Sequence, residues 1–427
     1  MSSASTTPRA RRRLLLVAFH YPPVQGSSGV HRSLAFSRYL PEFGWDVSVL
    51  TVAARAHEKV LLDNLRLIPR NVRVIRAQAW DAARHFAILG RYPSLLAHLD
   101  RWSSWIPFAV RAGLREHRAW PCDAIFTTYP IASAHEIGRR LHRRTGLPWV
   151  ADFRDPMATA GYPYEPAMRK VWMTLQSAVV HEASRVTVTT PGTAEYYRGL
   201  YPDISQQHID VIENGFDPET FPKSTPELRP QRPHILLHSG VLYPRERDPL
   251  PFFRALKRLV ADGTIAPGTL RVRLRATGFD SEYSALLADM GLSELVELAP
   301  PLPYADAVRE MQSATGLLLF QASVCDEQIP AKAYEYLYAG RPILGLTSPA
   351  GDTGKLLQRF GVPAITALED EDGILRMLRS SLPQIIAGNY PIPSQAAVMT
   401  LSRRSGAERL ATQLDALAAR ERASTAS

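Results

Sequence analysis

The sequence contains little cysteine, little lysine and no long uninterrupted apolar segment. Its 427 residues include two cysteines, Cys122 and Cys325, too few for a disulfide framework or a cysteine metal site. The first apolar run, residues 14–19, is far shorter than the roughly 20 residues that span a bilayer. These absences favour a reducing compartment and no membrane-spanning segment, so a cytoplasmic location is expected.

Lysine accounts for only six of the 50 basic residues, and 41 acidic residues leave a net charge of +9. Arginine binds phosphate and carboxylate in a bidentate manner, so acidic small ligands fit this composition, although much of the excess is ordinary compositional background. The aromatic and basic residues form no recognisable RNA or DNA module, so no nucleic-acid partner is expected.

Three familiar motifs of cofactor chemistry are missing. No G-x-G-x-x-G follows the first predicted strand, and residues 351–355 (GDTGK) lack the earlier glycine and the following Ser or Thr of a P-loop. The spacing of His, Cys and carboxylate residues predicts no metal site. We therefore expect a metal-independent protein without a bound cofactor.

Strand-like and helix-like segments alternate along the chain, which predicts an α/β fold with parallel βαβ units. The length exceeds what one compact core holds, so two domains are expected. The predicted strands are residues 13–20, 45–52, 72–77, 124–128, 149–153, 186–190, 209–212, 234–238, 270–276, 296–298, 316–320, 342–346 and 362–366.

A proline-rich stretch without periodicity divides the two sets of strands. The sequence accordingly predicts a flexible tail, a first Rossmann-like domain, a linker, a second Rossmann-like domain, a closing helix and a second tail. Their respective bounds are residues 1–12, 13–220, 221–233, 234–398, 399–420 and 421–427.

Ligands of open α/β sheets bind outside the carboxyl ends of the strands, so the loops that follow strands are the place to search. Glu327 lies in such a loop, a helix opens at Pro330, and Glu335 follows eight positions after Glu327. The amides of a helix start can hold phosphate, and carboxylates can accept hydrogen bonds from sugar hydroxyls. Two solvated acids at a helix end would give the same spacing.

The segment from Glu327 through Glu335 to residues 340–344 (GRPIL) resembles the E-x7-E donor motif of family 4 glycosyltransferases, which are retaining enzymes of the GT-B fold. Four further segments resemble that family in the same order along the chain. They are residues 21–29 (YPPVQGSSG), residues 150–156 (VADFRDP), residues 211–217 (VIENGFD), and residues 238–240 (HSG) with the arginines that follow.

The resemblance implies a GT-B architecture, in which two Rossmann-like domains face each other across a cleft and the closing helix packs on the first domain. It implies a hexosyltransferase that moves a sugar from a nucleotide diphosphate sugar, its co-substrate, to a hydroxyl of a glycan, lipid-linked or small-molecule acceptor. A role in cell-envelope or exopolysaccharide biosynthesis in bacteria is expected on the same grounds.

Individual site residues are assigned by the same resemblance. Where the family carries an arginine directly after the glycine of the HSG segment, this chain has Val241, so Arg247 is expected to act with Arg245 compensating. The assigned roles are catalytic for Asp152, Arg247 and Glu327; donor-binding for Gly240, Arg245, Gly278, Ile329, Pro330, Ala331, Lys332 and Glu335; and acceptor-side for Gly26, Ser27, Ser28, Gly29, His135, Arg154 and Asp155.

Other interpretations stay open at this point. A sugar-nucleotide epimerase shares the fold, and a non-catalytic protein could bind a nucleotide sugar without turning it over. Residues 80–120 combine arginines with Trp102, Trp105 and Phe108, a pattern that suits peripheral contact with an anionic membrane as well as ordinary core helices.

Overall fold

The computed structural model describes residues 11–25, 29–85, 98–222, 233–266 and 268–425. The chain forms two compact units. The first runs to Glu213 and also includes the chain from Arg403 onward, and the second comprises Asn214–Ser402. The first unit therefore ends seven residues earlier than the expected domain boundary at residue 220.

The first unit is built around a parallel sheet of seven strands in the order β3-β2-β1-β4-β5-β6-β7. Its elements in chain order are β1 (Arg12–Ala18), α1 (Gly29–Tyr39), β2 (Trp45–Val52), β3 (Arg73–Ala77), α2 (Ala82–His85), α3 (Trp105–Ala119), β4 (Ala124–Thr128), α4 (Ala132–Thr145), β5 (Trp149–Arg154), α5 (Pro166–Glu182), β6 (Arg185–Val188), α6 (Pro191–Leu200) and β7 (Ile209–Val211).

The second unit repeats this plan with six parallel strands in the order β10-β9-β8-β11-β12-β13. Its elements are β8 (His234–Ser239), α7 (Leu250–Ala261), β9 (Leu270–Arg275), α8 (Asp280–Asp289), β10 (Val296–Ala299), α9 (Tyr304–Ser313), β11 (Gly316–Phe320), α10 (Ala331–Ala339), β12 (Ile343–Leu346), α11 (Asp352–Arg359), β13 (Ile365–Thr366), α12 (Glu371–Ile386) and α13 (Gln395–Val398).

The segments predicted as strands form strands, and both faces of each sheet are covered by other elements. β4 and β11 are buried along their whole length, which is why they read as continuous apolar runs rather than as alternating ones. Each of the thirteen predicted strands corresponds to a strand among the described residues, and the α/β fold class is confirmed. The helix expected to open at Pro330 begins one residue later, with Pro330 as its N-cap.

The last helix, α14 (Arg403–Thr425), belongs to the first unit. Leu410 and Leu414 are fully buried in the same apolar cluster as Trp45 of β2. Asp415 on this helix accepts a hydrogen bond from the Trp45 indole at 3.0 Å and pairs with Arg12 of β1. The helix is thus fixed by both apolar packing and polar contacts.

We predict that Leu414→Ala lowers the stability of the first unit by about 2–5 kcal/mol, because it removes a fully buried side chain and leaves a cavity. Urea unfolding followed by tryptophan fluorescence measures the change. Ala416→Ser on an exposed position of the same helix is the matched control and should change stability by less than about 0.5 kcal/mol. Equal stability of Leu414→Ala and wild type would contradict the packing described here.

Candidate functional site

In both sheets the direction in which successive strands are added reverses between two central strands. The candidate site residues of each unit follow these strands. In the first sheet the chain moves outward in opposite directions from β1 and β4, and in the second sheet from β8 and β11. The crevice outside the carboxyl ends of such strand pairs is where open α/β sheets bind ligands. The loops after β8 and β11 and those after β1 and β4 are therefore considered in turn.

In the second unit, the loop after β8 brings Gly240 against the side chain of Lys332. Gly240 has φ of +139°, and a Cβ at this position would lie 2.3 Å from Cε of Lys332. Only glycine allows both this backbone conformation and this approach. Lys332 belongs to the first turn of α10, so the loop and the helix start lie side by side.

Lys332 and Arg247 form a basic group at this place, with Arg245 exposed in the same loop as Arg247. None of the three has a carboxylate within 4 Å among the described residues. Arg247 donates to the backbone oxygen of Val241 at 3.0 Å and lies over the ring of Tyr243. Burial, together with the nearby charge of Arg247, lowers the pKa of Lys332 below its usual value. Glu335 on the same helix partly offsets this effect on Lys332, but it forms no ion pair with it. Cations held close together without an ion-paired carboxylate are suited to binding an anion.

A second loop, after β9, packs against the first. Leu242 donates its backbone N–H to Thr277 at 3.0 Å, and a Cβ at Gly278 would lie 3.3 Å from Val241. Gly278 has a positive φ of +78°, and Ala276, with φ of +57°, is one of two non-glycine residues with positive φ in the described chain. Such strain is tolerated where the surrounding structure fixes the backbone, and it is concentrated at functional sites.

The two glutamates of the E-x7-E motif differ in their surroundings. Glu327 is exposed in the loop before α10, whereas Glu335 is buried inside the helix. The hydroxyl of Tyr304, at the start of α9, donates to Oε1 of Glu335 at 2.9 Å. Tyr304 is a contact that no sequence pattern indicated, because it lies 31 residues before its partner and outside any motif.

Gln321 fixes the loop that carries Glu327. Its side-chain amide donates to the backbone oxygens of Cys325 at 2.8 Å and Gln328 at 2.9 Å. Ile329 is buried, and Pro330 and Ala331 form the N-cap and first residue of α10. The predicted donor-side residues of this unit therefore converge on the loops after β8, β9 and β11.

In the first unit, Asp152 on β5 is fully buried and forms a bidentate ion pair with Arg32 of α1, at 2.9 and 2.8 Å. Thr128 and Thr187 donate to its two oxygens at 2.7 and 2.9 Å. Burial alone would raise its pKa, but the charge of Arg32 and these hydrogen bonds hold the pKa below the usual value.

This environment gives Asp152 a structural role: the carboxylate is enclosed and its oxygens are bonded, so Asp152 positions Arg32 of α1. The catalytic role expected for Asp152 stays a prediction. Arg32 was missed in the sequence because it is 120 residues from Asp152, and no local pattern links a helix arginine to a distant strand.

His135 also lies inside the unit rather than on its surface, and the acceptor-side role expected for it stays a prediction. It is fully buried, its Nδ1 lies 2.8 Å from Oγ1 of Thr127, and its ring is 4.6 Å from that of Phe153. Burial lowers the pKa of His135 to about 4, so it is neutral at physiological pH. It supports the packing beneath the loop after β4.

Arg154 and Gly29 are close together. Arg154 has φ of +63°, and a Cβ on Gly29 would lie 3.1 Å from one terminal nitrogen of its guanidinium group. Asp155 follows in the chain; burial raises its pKa, against the opposing effect of Arg154. Gly26, Ser27 and Ser28 lie outside the described residues.

Two other features of the sequence concern membrane contact and metal binding. Trp105 is fully buried, whereas Phe108 is 39% exposed with its ring 5.4 Å from that of Trp80, so membrane contact through residues 80–120 stays a prediction. An Asp-x-Asp sequence at residues 370–372 lies at the start of α12, where Asp370 caps the helix and Asp372 pairs with Arg258. Within the described residues no cluster of three potential metal ligands is found.

Residues 28–215 match the family model described as "Glycosyl transferase 4-like domain". The first unit is a glycosyl transferase 4-like domain. The GT-B fold that the sequence resembles is confirmed by two Rossmann-like units and by the similar solved structures, and the resemblance to family 4 is supported over residues 28–215. No described helix is long and apolar enough to cross a membrane.

Several known proteins are similar to this chain. The D-inositol 3-phosphate glycosyltransferase of Frankia alni is 25% identical over 239 residues, which span 49% of this chain and 57% of that protein's length. Among solved structures, Anabaena Alr3699/HepE in complex with UDP has a TM-score of 0.61 at 16% identity, covering 95% of this chain and 100% of that one. A putative UDP-N-acetylglucosamine 2-epimerase from Listeria monocytogenes has a TM-score of 0.56 at 12% identity, covering 94% and 95%. At these identities the two structures establish the fold alone.

We predict that Asp152→Asn destabilises the glycosyl transferase 4-like domain by about 3–5 kcal/mol, because it leaves the charge of Arg32 buried without its partner. Thermal or urea unfolding measures the loss. The double variant Asp152→Asn with Arg32→Met removes both charges and should be more stable than the single variant. A single variant at least as stable as the double variant would contradict this account.

The buried histidine of this domain predicts a pH dependence. The pKa of His135 is lowered in the folded state, so the unfolded chain takes up a proton first and stability falls as the pH drops from about 6.5 to about 4. We expect the loss of unfolding free energy between pH 7 and pH 4 to be smaller in His135→Gln than in wild type, by about 3 kcal/mol. Urea unfolding at the two pH values measures it.

His181→Gln provides a control of opposite sign. His181 is exposed, and its hydrogen bond to the backbone oxygen of Ser177 raises its pKa, so it adds stability at low pH and not at high pH. In His181→Gln, stability should decrease toward pH 4 at least as steeply as in wild type. If stability decreases as steeply in His135→Gln as in wild type, the role of His135 is disproved.

Proposed function

We propose that this protein is a metal-independent, retaining glycosyltransferase that transfers a hexosyl group from a nucleotide diphosphate sugar to a hydroxyl. The observation that supports this most directly is the basic group of Lys332 and Arg247, which lies beside Gly240 and the start of α10. These cations face no carboxylate within 4 Å among the described residues, so they are available for a diphosphate.

In the proposed reaction the bond between the anomeric carbon and the phosphate oxygen breaks, and a bond to the acceptor oxygen forms. The electron pair of the broken bond stays on the nucleoside diphosphate, and the proton of the acceptor hydroxyl passes to the departing phosphate oxygen. Lys332, Arg247 and the amides of the α10 start stabilise the negative charge that grows on the leaving phosphate. Arg245 supports them from the exposed part of the same loop.

The motif glutamates bind the two sugar rings of the donor. Glu327, in the exposed loop, holds hydroxyls of the transferred sugar. Glu335 holds the ribose, for which Tyr304 must yield its hydrogen bond to Oε1 of Glu335. Retention of configuration and these assignments rest on the resemblance of the E-x7-E segment to family 4 glycosyltransferases.

The acceptor is a hydroxyl compound, either a glycan, a lipid-linked sugar or a small molecule, that binds on the first unit, and a role in envelope or exopolysaccharide synthesis fits such acceptors. Because HepE was solved with UDP and matches this fold, UDP-sugars are the first donors to test. Peripheral membrane contact through residues 80–120 is a further part of the proposal, supported by Phe108, which is 39% exposed on α3, while Trp105 is buried.

We predict that Lys332→Ala and Arg247→Ala each lower kcat/KM for the donor by about 100-fold or more, because each removes a cation that stabilises the leaving diphosphate. Release of nucleoside diphosphate from a panel of UDP-, GDP- and ADP-sugars measures the effect. Lys257→Ala, which removes an exposed lysine from α7 of the same unit, is the matched control and should retain wild-type turnover.

Full turnover in both site variants would disprove this assignment of the donor site. The similarity to an epimerase fold supplies the alternative reaction, which the same panel separates. An epimerase converts the donor with no acceptor present and releases no free nucleotide, whereas a binding protein binds the donor and leaves it unchanged. NMR of the product's anomeric proton tests retention.

A further inference from the structure

An apolar surface of the first unit has no part in the site described above. Between β2 and β3 the chain forms a short 3-10 helix, Leu62–Leu67. The large apolar side chains on and before it are between 41% and 68% exposed, and we call them the apolar segment: Val60, Leu61, Leu62, Leu65 and Leu67. Apolar side chains that cluster on a surface mark a contact with another protein or with a membrane. The apolar segment therefore needs a partner.

Hydrogen bonds to the chain after β1 fix the start of the apolar segment. Gln25 donates its backbone N–H to the oxygen of Lys59 at 3.0 Å, and Leu61 donates to the oxygen of Pro23 at 2.9 Å. Paired backbone groups cannot be buried elsewhere without losing these bonds. The pairing therefore keeps the apolar side chains on the surface.

The short helix separates its apolar side chains from its charged ones. Residues three positions apart lie above one another in a 3-10 helix. Leu62 and Leu65 therefore form one row, and Asp63 and Arg66 form another, in which the two side chains pair at 3.3 Å. One side of the helix is thus apolar and uncharged, as in segments that lie in the interface of a membrane.

The chain around the apolar segment is strongly basic. Residues 55–120 contain twelve arginine or lysine residues and five acidic ones, so this stretch accounts for most of the net charge of +9. Asp100 is buried, and the other four acids are paired with arginines; they are Glu58, Asp63, Asp81 and Glu116. Six exposed cations form no ion pair within the described part of the chain; they are Arg55, Lys59, Arg70, Arg111, Arg115 and Arg118.

Three of these cations lie on one face of α3, which we call the arginine face: Arg111, Arg115 and Arg118. They are four and three positions apart, so they are neighbours on the helix surface, and like charges at this spacing destabilise a helix. The acid of this helix, Glu116, is turned away and binds Arg73 at 2.8 Å. The arginine face is therefore complementary to an anionic partner.

Ring contacts join the apolar segment to the start of α3. Arg55, five residues before Val60, lies over the ring of Trp80 at 5.4 Å. That ring is 5.4 Å from the ring of the half-exposed Phe108 on α3. The apolar segment therefore adjoins the part of the first unit for which membrane contact is proposed above, and the cations belong to both.

A second copy of this chain fits this surface less well than an anionic bilayer does. A two-fold symmetric contact brings residues near the axis against their own counterparts. Lys59 and Arg70 of two copies would then face each other as like charges. Anionic headgroups instead supply the missing negative charge, while the boundary between headgroups and acyl chains accepts the leucines.

We propose that the apolar segment inserts into the interface of an anionic bilayer, while Lys59, Arg70 and the arginine face bind its headgroups. The docking stands on the geometry and charge of the first unit alone. Its use, which is to bring the protein to an acceptor anchored in the membrane, rests on the proposed function and selects the lipid-linked class among the acceptors named there.

Flotation of the full-length protein with vesicles tests the docking without any turnover. The vesicles contain phosphatidylcholine and phosphatidylglycerol in equal parts. We expect wild type to bind them, and Leu62→Ser with Leu65→Ser to weaken binding by about tenfold or more, because two inserted side chains become polar. Ile386→Ser with Ile392→Ser changes two exposed apolar residues of the second unit, is the matched control and should bind as wild type does.

A second variant tests the headgroup contacts. Lys59→Gln with Arg70→Gln keeps the leucines and should weaken binding to the same vesicles by about tenfold, since each cation near an anionic surface contributes separately. Wild type should bind vesicles of phosphatidylcholine alone more weakly than the anionic vesicles. Equal binding of wild type to both kinds of vesicle would overturn the assignment to an anionic bilayer.

Binding that is absent in wild type, or that is unchanged in Leu62→Ser with Leu65→Ser, would overturn the proposal. Unfolding midpoints equal to that of wild type show that a loss of binding is not a loss of folding, and the Lys59 and Arg70 variant keeps the test intact if the leucine variant is unstable. Sedimentation equilibrium covers the remaining occupant: a wild-type dimer that the leucine variant dissociates would overturn the proposal in favour of a second copy.

Sugar transfer tests the use of the docking separately. With vesicles of bacterial total membrane lipid as the acceptor pool, radiolabelled sugar from the donor panel should enter the lipid-extractable fraction, and Leu62→Ser with Leu65→Ser should lower this incorporation by about tenfold or more. Incorporation at the wild-type rate in this variant would overturn the acceptor class. If no nucleotide is released under any condition, the proposed function fails and the acceptor class with it, while flotation still decides the docking.

Discussion

Parallel pairing is the constraint on which both units depend. Parallel neighbours must be joined by crossover connections, so every strand of a sheet ends at the same edge and every loop that follows a strand opens there. In each unit the order reverses between two central strands, β1 and β4 or β8 and β11, and leaves a crevice between their loops. Gly240 and Lys332 meet at one such crevice, and Gly29, His20 and Arg154 meet at the other.

The two crevices hold charge in different ways. In the second unit, cations that form no ion pair among the described residues lie beside a glycine loop and a helix start. In the first unit, one arginine is neutralised by a fully buried aspartate, and a second arginine a short distance away is not. A buried ion pair contributes little net stability, but losing one partner is costly, so the pair between Arg32 and Asp152 holds α1 in a fixed position beside the unpaired Arg154.

The sequence predicted the strands and the loops that follow them because burial on both faces leaves a continuous apolar pattern, and because glycine and proline mark the turns. It did not predict which polar groups face each other. Asp152, at the end of a strand, has the same local pattern whether it faces a ligand or an arginine of another helix. Tyr304 and Arg32 were missed for the same reason, since a contact between distant segments leaves no periodic signal in either one.

The return of α14 to the first unit makes that unit discontinuous in the chain. Leu410 and Leu414 complete an apolar cluster to which β1, α1, β2, β4 and β5 also contribute, and Asp415 adds a hydrogen bond to Trp45, with the whole second unit inserted in the chain before them. During synthesis on the ribosome, the second unit is therefore complete in sequence before the first can close. The N-terminal part of the first unit keeps an uncovered apolar surface until α14 emerges, which exposes it to aggregation and to chaperones during that time.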